Sequence, residues 1–333
     1  MLNSQYPYKI DGKGDICMEY RSWNLSRIKE LVGLWNWEVG TDFPMCEELF
    51  KQNSFDDCNI FIEGSLIAVN QDDQVVGFIV TKRWQDPIDV GISKETGWIQ
   101  VLLVDRQYRN KGIGETLLRH AETKLKESGI HHIWLGKDTW HYFPGIPTQY
   151  REVANWFEKR GYVQGTTEHD LDCHFVEGEM AHPTKDGVTH SLLEIEEKDD
   201  FLSFMQRCFP GRWEYEAIQY FQRGGEGREF VVLKKNDQII GFCRINDSKS
   251  PVIAQNVYWA SLYQDELGGI GPLGIDSKER KHGYGLFIVK AAISYLHKRQ
   301  IRSMLIDWTG LVKFYNKLGF EICKSYNSYY KKI

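Results

Sequence analysis

No stretch of this chain approaches the ~20 consecutive apolar residues that a membrane-spanning helix needs. Its first fifteen residues, MLNSQYPYKIDGKGD, carry no apolar core of the kind that marks a secretory leader. The seven cysteines (Cys17, Cys46, Cys58, Cys173, Cys208, Cys243, Cys323) are scattered, odd in number and form no CxxC pair. That argues against a disulfide framework and for reduced thiols. Lysine and arginine are nowhere massed into a block, and the formal net charge is -5. A nucleic acid is therefore not expected as the main partner. No His, Cys, Asp or Glu grouping has metal-ligand spacing, so no metal is expected. Together these absences point to a soluble protein of the cytoplasm.

What the chain does have is a duplication. DQVVGF at 73–78 recurs as DQIIGF at 237–242, RNKGIG at 109–114 as RKHGYG at 280–285, and FEKRGY at 157–162 as YNKLGF at 315–320. Three matches in one order, at spacings of roughly 160–170 residues, mark an internal repeat. A chain of 333 residues is too long for one typical core and about right for two domains. We read an N-terminal copy over 1–178, a linker over 179–189 and a C-terminal copy over 190–333. The linker belongs to the polar run EGEMAHPTKDG, which contains Pro and Gly.

Both copies carry the same order of patterns. Amphipathic helices are expected around 24–52 and 197–223. Hairpins follow, turning at Asp72-Asp73 and Asn236-Asp237. A buried strand comes next, WIQVLLV (98–104) or GIGPLGI (269–275). After the glycine motif a helix of about four turns is predicted. Its apolar stripe is Leu117, Leu118, Ala121 and Leu125 in one copy. In the other it is Phe287, Ile288, Ala291, Ala292 and Tyr295. A further strand, a short helix and a final strand close each unit. The class is mixed α/β, a mixed sheet with helices on both faces.

The glycines sit where a strand gives way to a helix. The first amides of a helix have no partner within it, and the helix dipole makes that end positive. Gly283 and Gly285 remove the Cβ atoms that would hold a phosphate away, and Arg280 and Lys281 add charge. The third glycine of a dinucleotide fingerprint is absent, and so is the GK[ST] of a Walker loop. The pattern [R/Q]xxGx[G/A], with FYNKLGF downstream, resembles the acetyl-CoA motif of the GCN5-related N-acetyltransferases (GNATs). The resemblance covers nearly the whole chain as a tandem pair. It implies a splayed central sheet and acetyl-CoA as the cofactor. In the C-terminal copy, Leu273, Gly274 and Ile275 would lie beside the pantetheine arm, and Arg280, Lys281, His282, Gly283, Tyr284 and Gly285 would cradle the phosphates. The N-terminal counterparts are Leu102, Leu103 and Val104, then Arg109, Asn110, Lys111, Gly112, Ile113 and Gly114.

Acetyl transfer to an amine also needs a base for the amine and an acid for the departing thiolate. The resemblance implies that Tyr315 is the acid, the other reading being an aromatic helix anchor. The N-terminal copy has Phe157 there, which cannot donate a proton. The family's Asn on that helix is replaced by Arg151 and Thr309, so the sites have diverged. Candidate bases are Asp265 and Glu266; in the N-terminal copy Glu95 is the only and more distant option. Asp307, at a strand's end, is another candidate or a helix N-cap. The acceptor would lie against Trp35 and Trp37, beside Glu38, or against Trp213 and Tyr215, beside Glu214 and Glu216. Aromatics next to carboxylates suit a cationic amine on a flat or ring-shaped body. The aromatic loop HYFPGIP (141–147) is long enough to line a pocket.

The expected function is transfer of the acetyl group of acetyl-CoA to a primary amine of a small molecule, an amino sugar among the candidates. Transfer would be direct, in a ternary complex, with the C-terminal copy as catalyst. The expected assembly is a monomer or homodimer. The N-terminal copy should still hold CoA, with little turnover. The alternative is a CoA-binding regulatory or scaffold protein with a degenerate N-terminal copy.

Overall fold

The computed structural model describes residues 18–176 and 182–333. Residues 1–17, 177 and 178 of the expected N-terminal copy, and 179–181 of the expected linker, lie outside the described residues.

The chain divides into two compact units. The first comprises the described part of Met1–Pro87, with Ser93–Thr166 and Tyr326–Ile333. The second comprises Ile88–Ile92 and the described part of Thr167–Ser325. These boundaries differ from the cut read at the linker. The physical reason is strand pairing: the end of the chain is a strand of the first unit's sheet, and residues after Thr166 are a strand of the second unit's sheet.

In the first unit, helices α1 (Ile28–Val39) and α2 (Glu47–Ser54) lie between the first and second strands of the sheet. The strands are β1 (Glu19–Ser22), β2 (Leu66–Val69), β3 (Val75–Arg83), β4 (Thr96–Val104) and β5 (His132–Leu135). The hairpin β2–β3 turns at Asp73, which takes the left-handed φ of 62°. Its first strand is short, beginning only at Leu66 of the largely apolar run NIFIEGSLIAVN (59–70). Ile62–Gly64 forms a 3₁₀ turn, and a Cβ on Gly64 would run into Phe61 at 2.8 Å. Helix α3 (Ile113–Glu127) buries Leu117, Leu118, Ala121 and Leu125, the predicted stripe. A two-residue strand β6 (Ile146–Pro147), helix α4 (Arg151–Glu158) and strand β7 (Val163–His174) follow.

The second unit repeats this order. Its helices are α5 (Lys198–Cys208) and α6 (Arg212–Gln222), and its strands are β8 (Thr189–Leu192), β9 (Phe230–Lys235), β10 (Gln238–Asn246), β11 (Leu267–Ile275) and β12 (Ser303–Thr309). Helix α7 (Tyr284–Lys298) packs Phe287, Ile288, Ala291 and Ala292 into a core with Ile270, Met304 and Phe320. Helix α8 (Val312–Tyr315) leads to strand β13 (Glu321–Lys332).

The feature that makes a site is the splay between parallel neighbours. Strand β11 pairs with β12 only through Leu267–Gly269 against Ser303–Leu305. Its far end, Leu273 to Ile275, remains paired on the other side with Gly241–Cys243 of β10. In the first unit β4 likewise pairs with β5 only from Thr96 to Ile99, while Val101 to Val104 pair with β3 alone. A strand edge with unpaired polar groups opens in each unit. Among the described residues no helix is long and apolar enough to cross a membrane.

Candidate active site

The second unit's splay opens into a cavity of about 760 Å³, within the range of small-molecule sites. One wall is the strand end Leu273, Gly274 and Ile275; another is the loop and first turn of α7. Asp276 opens this loop by accepting a hydrogen bond from the Lys278 amide at 3.0 Å. Arg280 Nε donates to the Ile275 carbonyl at 3.2 Å, which ties the loop to the strand end. Asp105 and Arg109 make the same two contacts in the first unit, to the Gln107 amide at 2.8 Å and the Val104 carbonyl at 3.0 Å. The repeated Arg is thus a brace between the loop and the strand end.

Backbone conformation explains the glycines. Gly283 has φ 75° and Gly112 φ 80°, left-handed values that cost a side-chain-bearing residue energy. Lys281 (φ 71°) and Asn110 (φ 61°) are left-handed too, and such alternation turns successive amides into an anion-binding concavity. A Cβ on Gly285 would meet nothing nearer than Phe314 at 3.6 Å, and one on Gly283 nothing nearer than Lys185 Nζ at 4.0 Å. The space over the loop is open to a ligand, and its donors are cations and amides. That donor set fits the phosphates of acetyl-CoA.

The remaining walls carry chemistry. Tyr315 is buried and lines the cavity. Burial, then the nearby Cys243 and Asp307, push its phenol well above the usual tyrosine range. Asp307 lines the same cavity, its carboxyl pushed up to about 7 by burial and by Asp170, with Arg212 pulling the other way. It does not cap α8, whose N-cap position is Leu311. Arg212 stacks over Trp308 at 4.2 Å and pairs with Glu216 at 3.3 Å, one helical turn along. Trp213 and Glu216 line the cavity, and Gln255 donates to Glu216 at 3.3 Å.

Several sequence candidates stand elsewhere. Glu266 is exposed and accepts hydrogen bonds from the Ser248 amide, at 3.2 Å, and its hydroxyl. Asp265 is exposed, and neither carboxylate lines the cavity. Tyr215 is buried away from it. His282 stacks on Tyr284 with ring centroids 5.4 Å apart and faces outward. Arg212, Trp308 and Lys185 were not legible as site residues. The first two flank recognised ones in FPGRWEYE and IDWTG, but Lys185 lies in the stretch read as linker, and only the fold brings it to Gly283.

The first unit holds a cavity of about 910 Å³ lined by Leu102, Leu103, Val104, Arg109, Asn110, Gly112 and Gly114. Lys111 turns back to the Gln107 carbonyl at 2.9 Å, and Ile113 is buried in the core. Trp35 forms part of the wall, stacked on Phe143 of the aromatic loop with centroids 5.7 Å apart. Trp37 is 58% exposed, beneath Arg106 at 5.2 Å. Phe157 occupies the place of Tyr315, with no hydroxyl. Glu95 is exposed. Among the described residues no group of three or more His, Cys, Asp or Glu side chains could hold a metal ion.

The acetyltransferase (GNAT) family model matches residues 31–143 and 198–320. An uncharacterised N-acetyltransferase of Methanocaldococcus jannaschii is 28% identical over 131 residues, 37% of this chain and 58% of its own length. A GCN5-related glucosamine N-acetyltransferase region of a fungal multi-domain β-N-acetylglucosaminidase shares the fold with a TM-score of 0.84 at 21% identity. That likeness covers 96% of this chain and 39% of the fungal one. A GCN5-related N-acetyltransferase from Sphaerobacter thermophilus has a TM-score of 0.70 at 13% identity, covering 95% of both chains. A tandem GNAT protein from the clavulanic acid biosynthesis pathway has 0.65 at 14%, covering 95% of this chain and 98% of that one. The chain thus spans little more than half of its curated relative and well under half of the fungal protein. With the family model falling on both repeats, each bearing the same braced glycine loop beside a splayed strand, the chain belongs to the acetyltransferase (GNAT) family.

Proposed function

We propose that this protein is an acetyl-CoA-dependent N-acetyltransferase whose C-terminal unit acts on a small primary amine by direct transfer in a ternary complex. The observation that carries the reading is one cavity lined by the phosphate-type loop, a buried phenol and a carboxyl poised near neutrality. Acetyl-CoA, when bound, supplies an acyl group activated as a thioester. Arg280, Lys281 and the first-turn amides of α7 would hold its phosphates, with Leu273 to Ile275 along its arm. Asp307, deprotonated above about pH 7, takes a proton from the acceptor's ammonium form before attack, or from the neutral amine as it attacks. Tyr315 keeps its proton at any working pH and offers it to a departing thiolate. Arg212 tethers Glu216 and moderates the charge beside Asp307.

The acceptor end combines Trp213 and Trp308 with Glu216 and Asp307. Aromatic faces beside carboxylates attract a cationic amine on a ring-shaped body, which supports an amino sugar. The fold shared with a region named for glucosamine N-acetylation supports it further. The absence of a hydroxyl at Phe157 supports a first unit without turnover. The test is release of free CoA thiol from acetyl-CoA over a panel of amino sugars, polyamines, amino acids and peptide N-termini. We expect release with at least one small amine, strongest among amino sugars. No release above the uncatalysed rate with any of them would favour a CoA-binding protein without turnover.

A further inference from the structure

The two glycine loops differ in what reaches them from the first helix of each unit. In the first unit Glu38, near the end of α1, buries its carboxylate against the loop, its side chain 1% exposed. One oxygen accepts from the Arg106 amide at 2.8 Å and from Arg106 Nε at 3.1 Å. The other oxygen pairs with Arg109 Nη2. Arg106 also donates to the Trp37 carbonyl at 2.7 Å, fixing the contact to the helix end. A backbone amide and two guanidinium groups are the donor set that a phosphate would use, and here an internal carboxylate holds them.

The second unit has the opposite arrangement. Near the end of α5 stands Arg207, which pairs with Asp276 at 2.6 Å. The acid at this loop's base is therefore matched by a cation from the helix. Glu279, the other acid of the loop, is taken by Lys235 at 2.9 Å. Arg280 keeps its bond to the Ile275 carbonyl, and Lys185 Nζ stands near Gly283.

We propose that Glu38 is a built-in anion that occupies the first unit's phosphate-binding donors, so that only the second unit binds CoA at ordinary concentration. This rests on reading the glycine loops as CoA sites. The first unit's cavity of about 910 Å³ then remains accessible to a ligand that does not bring a pyrophosphate to that loop. Neutralising Glu38 removes a like charge within hydrogen-bond reach of the incoming phosphate and frees Arg109. At the effective dielectric of a protein surface that should strengthen CoA binding roughly tenfold or more.

The experiment is calorimetric titration with CoA itself, read as stoichiometry and affinity and independent of turnover. The parent should bind one CoA per chain. Gly285→Val, which blocks the second site and has room beside Phe314, should bind none at concentrations that saturate the parent. Adding Glu38→Gln to Gly285→Val should restore one CoA per chain, with an affinity at least tenfold above that of Gly285→Val alone. Glu38→Met serves as a second neutral variant if Gln folds poorly, as judged by thermal melting. Two equal sites in the parent, or undiminished binding by Gly285→Val, would overturn the proposal. So would folded Glu38 variants that gain no site. Thiol release separates this from the functional reading: an enzyme that turns over amines but binds two CoA leaves that reading intact and removes this one.

Discussion

Replacing Asp307 by Asn probes the least common group in the cavity, a carboxyl whose affinity for protons is pushed up to about 7 by burial, with the negative charge of Asp170 adding to it. Asn keeps the shape and cannot accept the amine's proton. General-base assistance is worth typically 10²–10⁴ in rate, and cavity water can replace part of it. The loss in kcat/KM at pH 8 should therefore be about 10²–10³, or ~3–4 kcal/mol of transition-state stabilisation. The parent profile should rise with pH through about 7 and flatten above it, and the variant should lose that inflection. Stability should move the other way. In the native state the group holds its proton up to about 7, whereas the unfolded carboxyl releases it near 3.8. The native protein thus binds more protons between those values, and the parent is progressively destabilised relative to Asn as pH rises through that window. At about 1.4 kcal/mol per pH unit the ceiling is ~4 kcal/mol, which solvent in the open cavity reduces. Asn should raise the melting temperature at pH 8 by several degrees, with the gap closing towards pH 4. The assays are thiol release across the pH range and thermal melts at both ends. A variant with the parent rate and an unchanged inflection near 7 would refute Asp307 as the base.

Other outcomes follow from the same walls. Tyr315→Phe removes only the hydroxyl; kcat should fall roughly 10²–10³-fold while the calorimetric affinity for acetyl-CoA stays nearly constant. Lys185→Ala should weaken CoA binding by no more than about fivefold, as loss of one exposed charge contact, without altering kcat. In the first unit Lys82 is fully buried between Asp57, at 2.9 Å, and Asp138, at 2.6 Å. Lys82→Met leaves two buried carboxylates without their cation, and chemical denaturation should register a loss of about 3–5 kcal/mol.

Periodicity carried the local elements. The stripes of α3 and α7 and the hairpin turns at Asp73 and Asn236-Asp237 are governed by nearest neighbours, so the sequence displays them. The glycine loops were legible for the same reason: backbone torsion, brace and open space all lie within six residues. What escaped needed the third dimension. The sequence placed Glu38 beside an acceptor amine, whereas the fold turns its carboxylate to Arg106 and Arg109 some seventy residues on. Asp265 and Glu266 precede the right strand, yet the local chain directs them to Ser248 and solvent rather than into the splay. The division into units was hidden because pairing of β13 with β5, and of β7 with β12, crosses the repeat boundary in sequence.

The central claim is that acetyl transfer occurs at the loop of the C-terminal unit. Thiol release by folded Gly285→Val, with the best amine of the panel, tests it most directly. A Cβ there meets nothing nearer than Phe314 at 3.6 Å, and the branched side chain is expected to occupy the space left open for a phosphate. The account predicts a fall of at least about a hundredfold in kcat/KM, with the melting temperature retained. Turnover at the parent rate would contradict it and move the reaction to another cavity.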